Sequence, residues 1–246
     1  MTKLMIATPA HKGNLSISYT LSFCKTVQLL AANDIVVVPR IAPSGSLLVE
    51  ERNRIIEDFW KSDCTHLLCV DADLGWAPPA VQAMLDAKKD FVAGVYPARN
   101  VKETTFLFRP ILNEDGTFAG ENHLLKMKYV PAGFLLLSRE CIKKMREALP
   151  HLHYAPKQNA ESNPPEAFLF FNTEVYEGEF WGEDFTFCRN ATKSGIDIWV
   201  DPLIQFEHDG QIGALCQYIM SKEEKAAEQG NSNVHALPQP TLSKAA

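Results

Sequence analysis

The segment His66-Leu67-Leu68-Cys69-Val70-Asp71-Ala72-Asp73 decides the fold of this chain. After His66, four apolar residues follow one another without a break, which is typical of a strand buried on both faces of a parallel sheet. Two carboxylates, Asp71 and Asp73, come where that strand ends. Open α/β sheets bind their ligands just outside the carboxyl ends of the strands. The segment therefore predicts a parallel sheet with a ligand site at its edge.

Strand and helix patterns alternate on both sides of this segment. Short apolar runs indicate buried strands, and apolar residues at helical spacing indicate helices between them. The predicted order is strand 4–7, helix 16–32, strand 35–38, helix 47–61, strand 66–70, helix 78–88 and strand 91–96. Pro39 is expected to close the second strand. This alternation predicts an α/β protein with a mostly parallel central sheet and helices on both faces.

The second half of the chain is less regular and predicts a small antiparallel part. The predicted elements are hairpins over 105–129, a strand over 134–137, a helix that Ser138 caps, a helix over 182–194, and strands over 198–200 and 204–206. We expect a single domain over residues 1–220. Residues 221–246 change from Lys, Glu and Ala to Gly, Asn, Ser and Pro, which predicts a flexible tail.

The composition excludes several classes of protein. The 246 residues are 46% hydrophobic and 22% charged, which is ordinary for a globular protein and excludes coiled coils, fibres and disordered chains. A formal net charge of −6 argues against binding nucleic acid through charge alone. No apolar stretch is long enough to span a membrane. Scattered cysteines without a CxxC pair, and an N-terminus without a signal-peptide pattern, predict a reducing, cytoplasmic environment.

Asp71, Asp73 and His208 are candidate metal ligands. The two carboxylates carry like charges so close together that they need a counter-charge, which a divalent cation and the oxygens of a bound phosphate provide. His208 ends a late predicted strand beside acidic residues and a glycine. Imidazole with carboxylates suits Mn²⁺, with Mg²⁺ as the alternative. An Asp-rich turn and a surface histidine without function are the other interpretation of the same pattern.

Glu183 and Asp184 stand at the head of the predicted helix 182–194. The helix dipole favours acidic residues there without any function, and it predicts a lowered pKa for Asp184. A carboxylate at this position could also deprotonate a bound hydroxyl. Arg52, on the helix before the Asp71 strand, could pair with a phosphate in bidentate fashion. The alternative for Arg52 is the solvated face of an amphipathic helix.

In this order, these features resemble the glycosyltransferases of the GT-A fold, in the nucleotide-diphospho-sugar transferase superfamily and similar to glycosyltransferase family 2. The likeness extends over residues 4–210, and small viral and bacterial members look similar. A Gly-Gly-Phe-Asp-Glu-like turn, common in family 2, is absent here. The matching features are the opening strand with Thr8-Pro9, the Arg52-Asn53 helix, the Asp71-Ala72-Asp73 strand end (a DxD motif), the Val130-Pro131-Ala132-Gly133-Phe134 turn, the Glu183-Asp184 helix and His208.

The resemblance implies transfer of a sugar from a nucleotide-diphosphate sugar to an acceptor hydroxyl, with Mn²⁺ or Mg²⁺ as the cofactor. Asp73 would coordinate the cation, and His208 would complete the metal shell. Asp71 would contact the cation or the ribose of the donor. The cation would stabilise the leaving nucleotide through Lewis-acid chemistry.

The resemblance also implies which residues would bind the nucleotide-diphosphate sugar, the donor. Arg52 would add positive charge beside the diphosphate, and its neighbour Asn53 would belong to the same donor-binding set. Thr8 and Pro9 would line the nucleoside pocket.

On the acceptor side, the resemblance makes Asp184 the base that activates the acceptor hydroxyl, with inversion at the anomeric carbon. Glu183 would support it. Residues 151–166 are polar and contain three prolines, which predicts a long loop that is mobile without ligand and forms part of this side. The acceptor could be a glycan, a lipid-linked sugar or modified DNA, and the oligomeric state is not indicated.

Three other functions stay open at this point. A sugar nucleotidyltransferase shares the fold class, but such enzymes open with a Gly-rich loop, and residues 8–13 contain one glycine. A non-catalytic carbohydrate-binding protein would not need the carboxylates and His208 together. A viral transferase that acts on a hydroxymethyl-pyrimidine base of DNA could use the basic stretch 88–146 for phosphate contacts, although the acidic total argues the other way.

Overall fold

The structure, a computed structural model, describes residues 1–44, 47–99, 103–155 and 167–228. The elements of the first hundred residues are β1 (Lys3–His11), α1 (Ile17–Ala32), β2 (Val36–Ser44), α2 (Leu48–Lys61), β3 (His66–Val70), β4 (Leu74–Trp76), α3 (Pro79–Asp86) and β5 (Phe91–Ala93). Those that follow are β6 (Arg109–Pro110), β7 (Gly120–Glu121), β8 (Leu124–Tyr129), β9 (Phe134–Ser138), α4 (Arg139–Ala148), β10 (His153–Tyr154), β11 (Ala167–Phe168), β12 (Glu174–Tyr176), β13 (Glu179–Trp181), α5 (Glu183–Lys193), β14 (Ile198–Val200), β15 (Gln205–His208), β16 (Gln211–Ala214) and α6 (Leu215–Glu228).

The central sheet has the strand order β2-β1-β3-β9-β5-β14-β8-β6, with β7 beside β8. β1 runs parallel to both β2 and β3, and β5 runs parallel to β14. β9 is inserted antiparallel between β3 and β5, and β8 runs antiparallel to β14. Most strands thus point the same way, and the predicted α/β class with a mostly parallel sheet is confirmed.

Helices cover both faces of this sheet, as the continuous apolar strands predict. On β1, Leu4 and Ile6 pack into one buried cluster with residues of α1 and α3. Met5 and Ala7 point the other way, into a cluster with α2, α4, α5 and α6. Since successive side chains of a strand alternate between the two faces, both faces must be apolar for the strand to be buried.

Two helices begin where the sequence predicts. The Oγ of Ser16 accepts a hydrogen bond of 3.0 Å from the backbone N–H of Tyr19, at the start of α1. The Oγ of Ser138 accepts one of 3.0 Å from the backbone N–H of Cys141, at the start of α4. Each serine satisfies an N–H group that has no partner within the helix.

Several strands differ in extent from the expectation, among them β1, which continues past Ala7 to His11. β2 continues through Pro39 to Ser44 instead of ending at the proline, with Pro39 opposite Ile6. β2 is the edge strand of the sheet, where a residue without an N–H group can be placed facing away from its neighbour. β5 ends at Ala93, so residues 94–96 leave the sheet early.

The C-terminal helix α6 continues to Glu228. The first eight residues of the segment predicted to be a flexible tail are therefore helical, and residues 229–246 lie outside the described part of the chain. Residues 156–166 of the predicted long loop are likewise outside it. Within the described residues, no helix is long and apolar enough to cross a membrane.

A small antiparallel sheet of β16, β15 and β4 confirms the predicted antiparallel part, but the sequence does not predict that β4, from the first half of the chain, belongs to it. β4 begins directly after Asp73, and its first residue, Leu74, lies opposite His208, the last residue of β15. This register brings the end of β15 to the turn that carries the two aspartates. The sheet thereby connects residues 74–76 to residues 205–214.

Candidate active site

The turn of residues 71–73 connects β3 to β4 and is held by two other parts of the fold. The backbone N–H of Asp71 donates to the carbonyl of Gly133, just before β9, at 2.9 Å. The carbonyl of Ala72 accepts from the backbone N–H of Ser16, at the start of α1, at 2.9 Å. The aspartates therefore sit on a backbone that is fixed from both sides, at the carboxyl end of β3.

Arg52 is buried and points at this turn. Its Nη2 donates to both oxygens of Asp71, at 3.0 and 3.3 Å, and its side chain is 7% exposed. The solvated helix face considered from the sequence is thus wrong. Nε and Nη1 of Arg52 have no hydrogen-bond partner among the described residues. The guanidinium lies over the ring of Phe171, 5.6 Å from its centroid. Arg52 therefore orients Asp71 and balances its charge.

Asp73 and His208 lie side by side. Nε2 of His208 is 3.7 Å from Oδ2 of Asp73, which is too long for a hydrogen bond. Nδ1 is 2.6 Å from the backbone carbonyl of Pro97, and because a carbonyl only accepts, Nδ1 carries a proton. When the ring is neutral, Nε2 therefore offers a lone pair towards Asp73. Oδ1 of Asp73 is buried and has no hydrogen-bond partner in the part of the chain that the structure describes.

Asp73 and His208 each favour the charged form of the other. The pKa of Asp73 is lowered, chiefly by His208, although burial opposes the shift. Burial lowers the pKa of His208, but Asp73 and the Pro97 carbonyl outweigh it, so the net shift is upward. The ring of Tyr96 stands edge-on to that of His208, with the centroids 5.1 Å apart, and limits how the imidazole can turn.

Arg99 is a further residue of the site that the motif analysis does not single out. Its Nη1 is 2.8 Å from Oδ2 of Asp73, and its side chain is 52% exposed. The one feature of the sequence that could have pointed to Arg99 is the basic stretch 88–146, to which it belongs. The sequence alone does not show where the residues of this stretch lie in space.

An open cleft of about 530 Å³ lies beside this turn. It is large enough for a small-molecule ligand. Residues of its wall include Pro9, His11 and Asn14 from the end of β1 and the loop after it, together with Asp71, Asp73 and Arg99.

Of the two residues predicted to line a nucleoside pocket, Pro9 lies in the cleft wall and Thr8 does not. Thr8 is fully buried, and its Oγ1 shares a hydrogen bond of 2.6 Å with the hydroxyl of Tyr19. The prediction for Thr8 is corrected because β1 continues past Ala7, which turns the Thr8 side chain towards α1.

Asn53 is also placed differently from the prediction. It is fully buried. Its Nδ2 donates to the carbonyl of Phe171 at 2.8 Å, and its Oδ1 accepts from the N–H of the same residue at 2.9 Å. The amide is thus committed to the backbone of Phe171 and is a structural clamp rather than a donor-binding group.

Glu183 and Asp184 form the first turn of α5, as predicted. The N–H of Phe185 donates to Oδ1 of Asp184 at 2.8 Å. The predicted lowering of the Asp184 pKa is wrong: burial raises the pKa of Asp184, and the charge of Glu183 adds to the rise. The N–H of Phe185 and the charge of Arg52 oppose the shift but do not cancel it. Loss of hydration therefore outweighs the helix N-terminus.

Arg52 links the two acidic parts of the site. Burial lowers the pKa of Arg52, but the nearby charges, Asp71 first and Glu183 further down, raise it above its ordinary value. The charge of Arg52 acts on Asp184 as well. The DxD turn and the head of α5 are thus electrostatic neighbours, although more than a hundred residues separate them in the sequence.

Few side chains at this site are available to coordinate a cation. Among the described residues, no group of three or more His, Cys, Asp or Glu side chains is arranged to hold a metal ion. Asp73 and His208 are a pair, and the carboxylate of Asp71 is engaged by Arg52. The predicted set of Asp71, Asp73 and His208 thus lies in one region, with Asp71 oriented by another partner.

No protein-family model and no curated protein matches this chain. Among solved structures, it is similar to residues 1–349 of S. aureus TarS, at 13% identity and a TM-score of 0.45, covering 93% of this chain and 65% of that one. The inositol-1-phosphate CTP transferase from T. maritima has 8% identity and a TM-score of 0.43, covering 85% of this chain and 90% of that one.

HddC from Yersinia pseudotuberculosis, in complex with GMP-PN, has 10% identity and a TM-score of 0.32 and covers 79% of this chain and 98% of that one. The chain spans less than two thirds of the TarS structure.

Proposed function

We propose that this protein is a metal-dependent glycosyltransferase, which moves a sugar from a nucleotide-diphosphate sugar to an acceptor hydroxyl. The observation that carries the proposal is the Asp73–His208 pair, in which Asp73 lines the cleft. Asp73 lies in the turn after the central strand β3, and His208 ends the late strand β15. A cation bound between this pair and the diphosphate would give the two residues a common function.

The residues present fit a divalent cation. Oδ2 of Asp73 lies 3.7 Å from Nε2 of His208, so a single cation could be bound by both atoms. His208 is oriented through its other ring nitrogen by the Pro97 carbonyl, which is how metal-binding histidines are commonly held. Mn²⁺ and Mg²⁺ are often held by one or two protein groups, with substrate phosphates and water as the other ligands. When bound, the cation supplies Lewis-acid charge to the leaving diphosphate.

Asp71 and Arg52 are proposed to serve the donor. Both oxygens of Asp71 accept from Nη2 of Arg52, which reduces the negative charge available to a cation. Of the two roles implied by the family resemblance, this favours contact with a ribose hydroxyl, which donates to a carboxylate. Arg52 then positions Asp71 and adds positive charge near the diphosphate.

Asp184 is proposed as the general base. In the transfer, the acceptor oxygen forms a bond to the anomeric carbon while the bond from that carbon to the diphosphate oxygen breaks. The hydroxyl proton goes to Asp184, and the nucleoside diphosphate leaves with the electron pair. Attack opposite the leaving group gives inversion. A raised pKa makes Asp184 a stronger base than an ordinary aspartate.

Thermal unfolding with a panel of donors tests the proposal. Nucleoside diphosphates and their sugars are added with Mn²⁺, with Mg²⁺ and with EDTA. We expect a higher melting temperature with one nucleotide in the presence of a cation, because a ligand of the native state stabilises it by mass action. Hydrolysis of the matching donor sugar nucleotide then supports sugar transfer. Incubation with a nucleoside triphosphate and a sugar phosphate tests the alternative, which is synthesis of a sugar nucleotide.

Two variants make the test specific. Asp73→Ala and His208→Ala should each abolish the cation-dependent shift and leave a cooperative unfolding transition. Asp197→Ala is the matched control, because Asp197 is exposed and paired with Lys126 outside the cleft. The proposal is wrong if no nucleotide shifts the wild-type protein with either cation, or if both site variants keep the full shift.

A further inference from the structure

Arg99 occupies the oxygen that a cation would need. Its Nη1 contacts Oδ2 of Asp73 at 2.8 Å, and that same oxygen is the one nearest to Nε2 of His208, at 3.7 Å. A guanidinium and a divalent cation compete for one carboxylate oxygen, because their positive charges repel each other. Binding of a cation at Oδ2 of Asp73 is therefore expected to displace Arg99.

The Arg99 contact is weak enough to be displaced. The arginine side chain is 52% exposed and that of Asp73 is 34% exposed. Ion pairs in such surroundings are weak and change an equilibrium constant by about fivefold at most. Arg52 shows the contrast, because its guanidinium is buried against Asp71. Arg99, which lies in the cleft wall, is therefore able to change its partner.

A displaced Arg99 stays at the cleft, since it belongs to the cleft wall. The anion that would share this space is a diphosphate, and a planar guanidinium binds phosphate oxygens through two parallel hydrogen bonds. We propose that Arg99 exchanges partners during donor binding: it neutralises Asp73 in the empty site, and it binds the diphosphate of the donor once a cation has taken Asp73. This inference rests on the proposed function.

Two binding constants of the variant Arg99→Gln test the exchange. Titration of Mn²⁺ alone, followed by the electron paramagnetic resonance signal of the free ion, should show about threefold to fivefold tighter binding than in the wild type, because the competitor is gone. Calorimetric titration with UDP, GDP, CDP and ADP at saturating Mn²⁺ should show about tenfold weaker binding or more for the nucleotide that the wild type prefers.

Two other variants serve as controls. Arg54→Gln removes an exposed arginine that pairs with Glu50 on α2 at 2.8 Å, and both constants should stay within about twofold of the wild type. Arg99→Lys keeps the charge and loses the planar fork, so Mn²⁺ should bind nearly as in the wild type while the nucleotide binds with an intermediate affinity.

The opposite signs of the two effects are what the exchange requires. If Arg99→Gln changes only one of the two constants, or changes both in the same direction, the exchange is overturned. If the wild type binds neither Mn²⁺ nor any of the nucleotides, the proposed function itself fails, so the two failures are distinguishable.

Discussion

Gly133 carries no side chain, and its neighbours occupy the space where a Cβ would stand. A Cβ built there would lie 2.3 Å from the hydroxyl of Tyr96 and 2.6 Å from Oδ2 of Asp71. The backbone N–H of Gly133 also donates to that hydroxyl at 3.1 Å. The reason for glycine at this position is therefore the close approach of Asp71 and Tyr96.

Gly133→Ala should disturb the site more than the fold. The methyl group must displace the hydroxyl of Tyr96 and the carboxylate of Asp71, so we expect the affinity for the donor nucleotide to fall about tenfold or more. Thermal unfolding and calorimetric titration of the same sample measure the two effects.

Gly195→Ala provides the contrast for Gly133→Ala. Gly195 follows α5 with a φ of +75°, and a Cβ there would meet nothing within 4 Å. That substitution should destabilise the fold by about 1 kcal/mol and leave nucleotide binding unchanged. Equal nucleotide affinities for the two variants would contradict the steric role of Gly133.

Among the elements, α2 and α5 are tied together by a chain of contacts. Asn53 on α2 clamps the backbone of Phe171, and the ring of Phe171 stacks on that of Phe187 on α5, with the centroids 4.1 Å apart. Arg52 lies next to Asn53 on α2, and Asp184 lies in the first turn of α5. The clamp thereby sets the distance between the DxD turn and the proposed base.

Asn53→Ala should be strongly destabilising. It leaves the buried N–H and carbonyl of Phe171 without partners, at about 1–3 kcal/mol for each group. In a chain of this size, a total of about 2–6 kcal/mol lowers the melting temperature by roughly 4–24 °C.

Asn33→Ala is the matched control, because Asn33 contacts Gln82 at the exposed surface, at 3.3 Å. It should change the stability by less than about 0.5 kcal/mol. Circular dichroism at rising temperature measures both variants, and similar melting temperatures would rule out the clamp.

At the scale of the whole molecule, the buried carboxylate of Asp184 lowers the stability of the folded protein at neutral pH. Its pKa is raised in the folded protein above the ordinary value of 3.8, so the folded state binds this proton more tightly than the unfolded state. Stability therefore falls as the pH rises from about 3.8 through the folded pKa, and the penalty is complete above it.

Asp184→Asn removes this penalty and keeps the shape of the side chain. We expect a higher melting temperature than in the wild type at pH 7, with the difference shrinking as the pH is lowered towards about 4. Turnover should fall about 10²-fold or more, with nucleotide affinity nearly unchanged. Glu183→Gln should reduce turnover less. A lower melting temperature for Asp184→Asn at pH 7, or near-full turnover, would contradict the assignment.

Local patterns in the sequence predict those parts of the fold that depend on neighbouring residues. Ser138 caps its helix as predicted, because an N-cap bond joins residues three positions apart. The apolar strand before Asp71 is buried as predicted. The extent of β2 past Pro39 could not be predicted, because it depends on the strand being at the edge of the sheet.

The sequence by itself determined the α/β class, the position of Asp71 and Asp73 after a central strand, and the acidic start of α5, since hydrophobic period and helix-end chemistry are local. Only the tertiary structure decided that β4 pairs with β15 and so places His208 at Asp73. It also decided that Thr8 and Asn53 are buried away from the cleft, and that the pKa of Asp184 is raised. Pairing of distant strands and loss of hydration depend on which surfaces meet, and that information is spread over the whole chain.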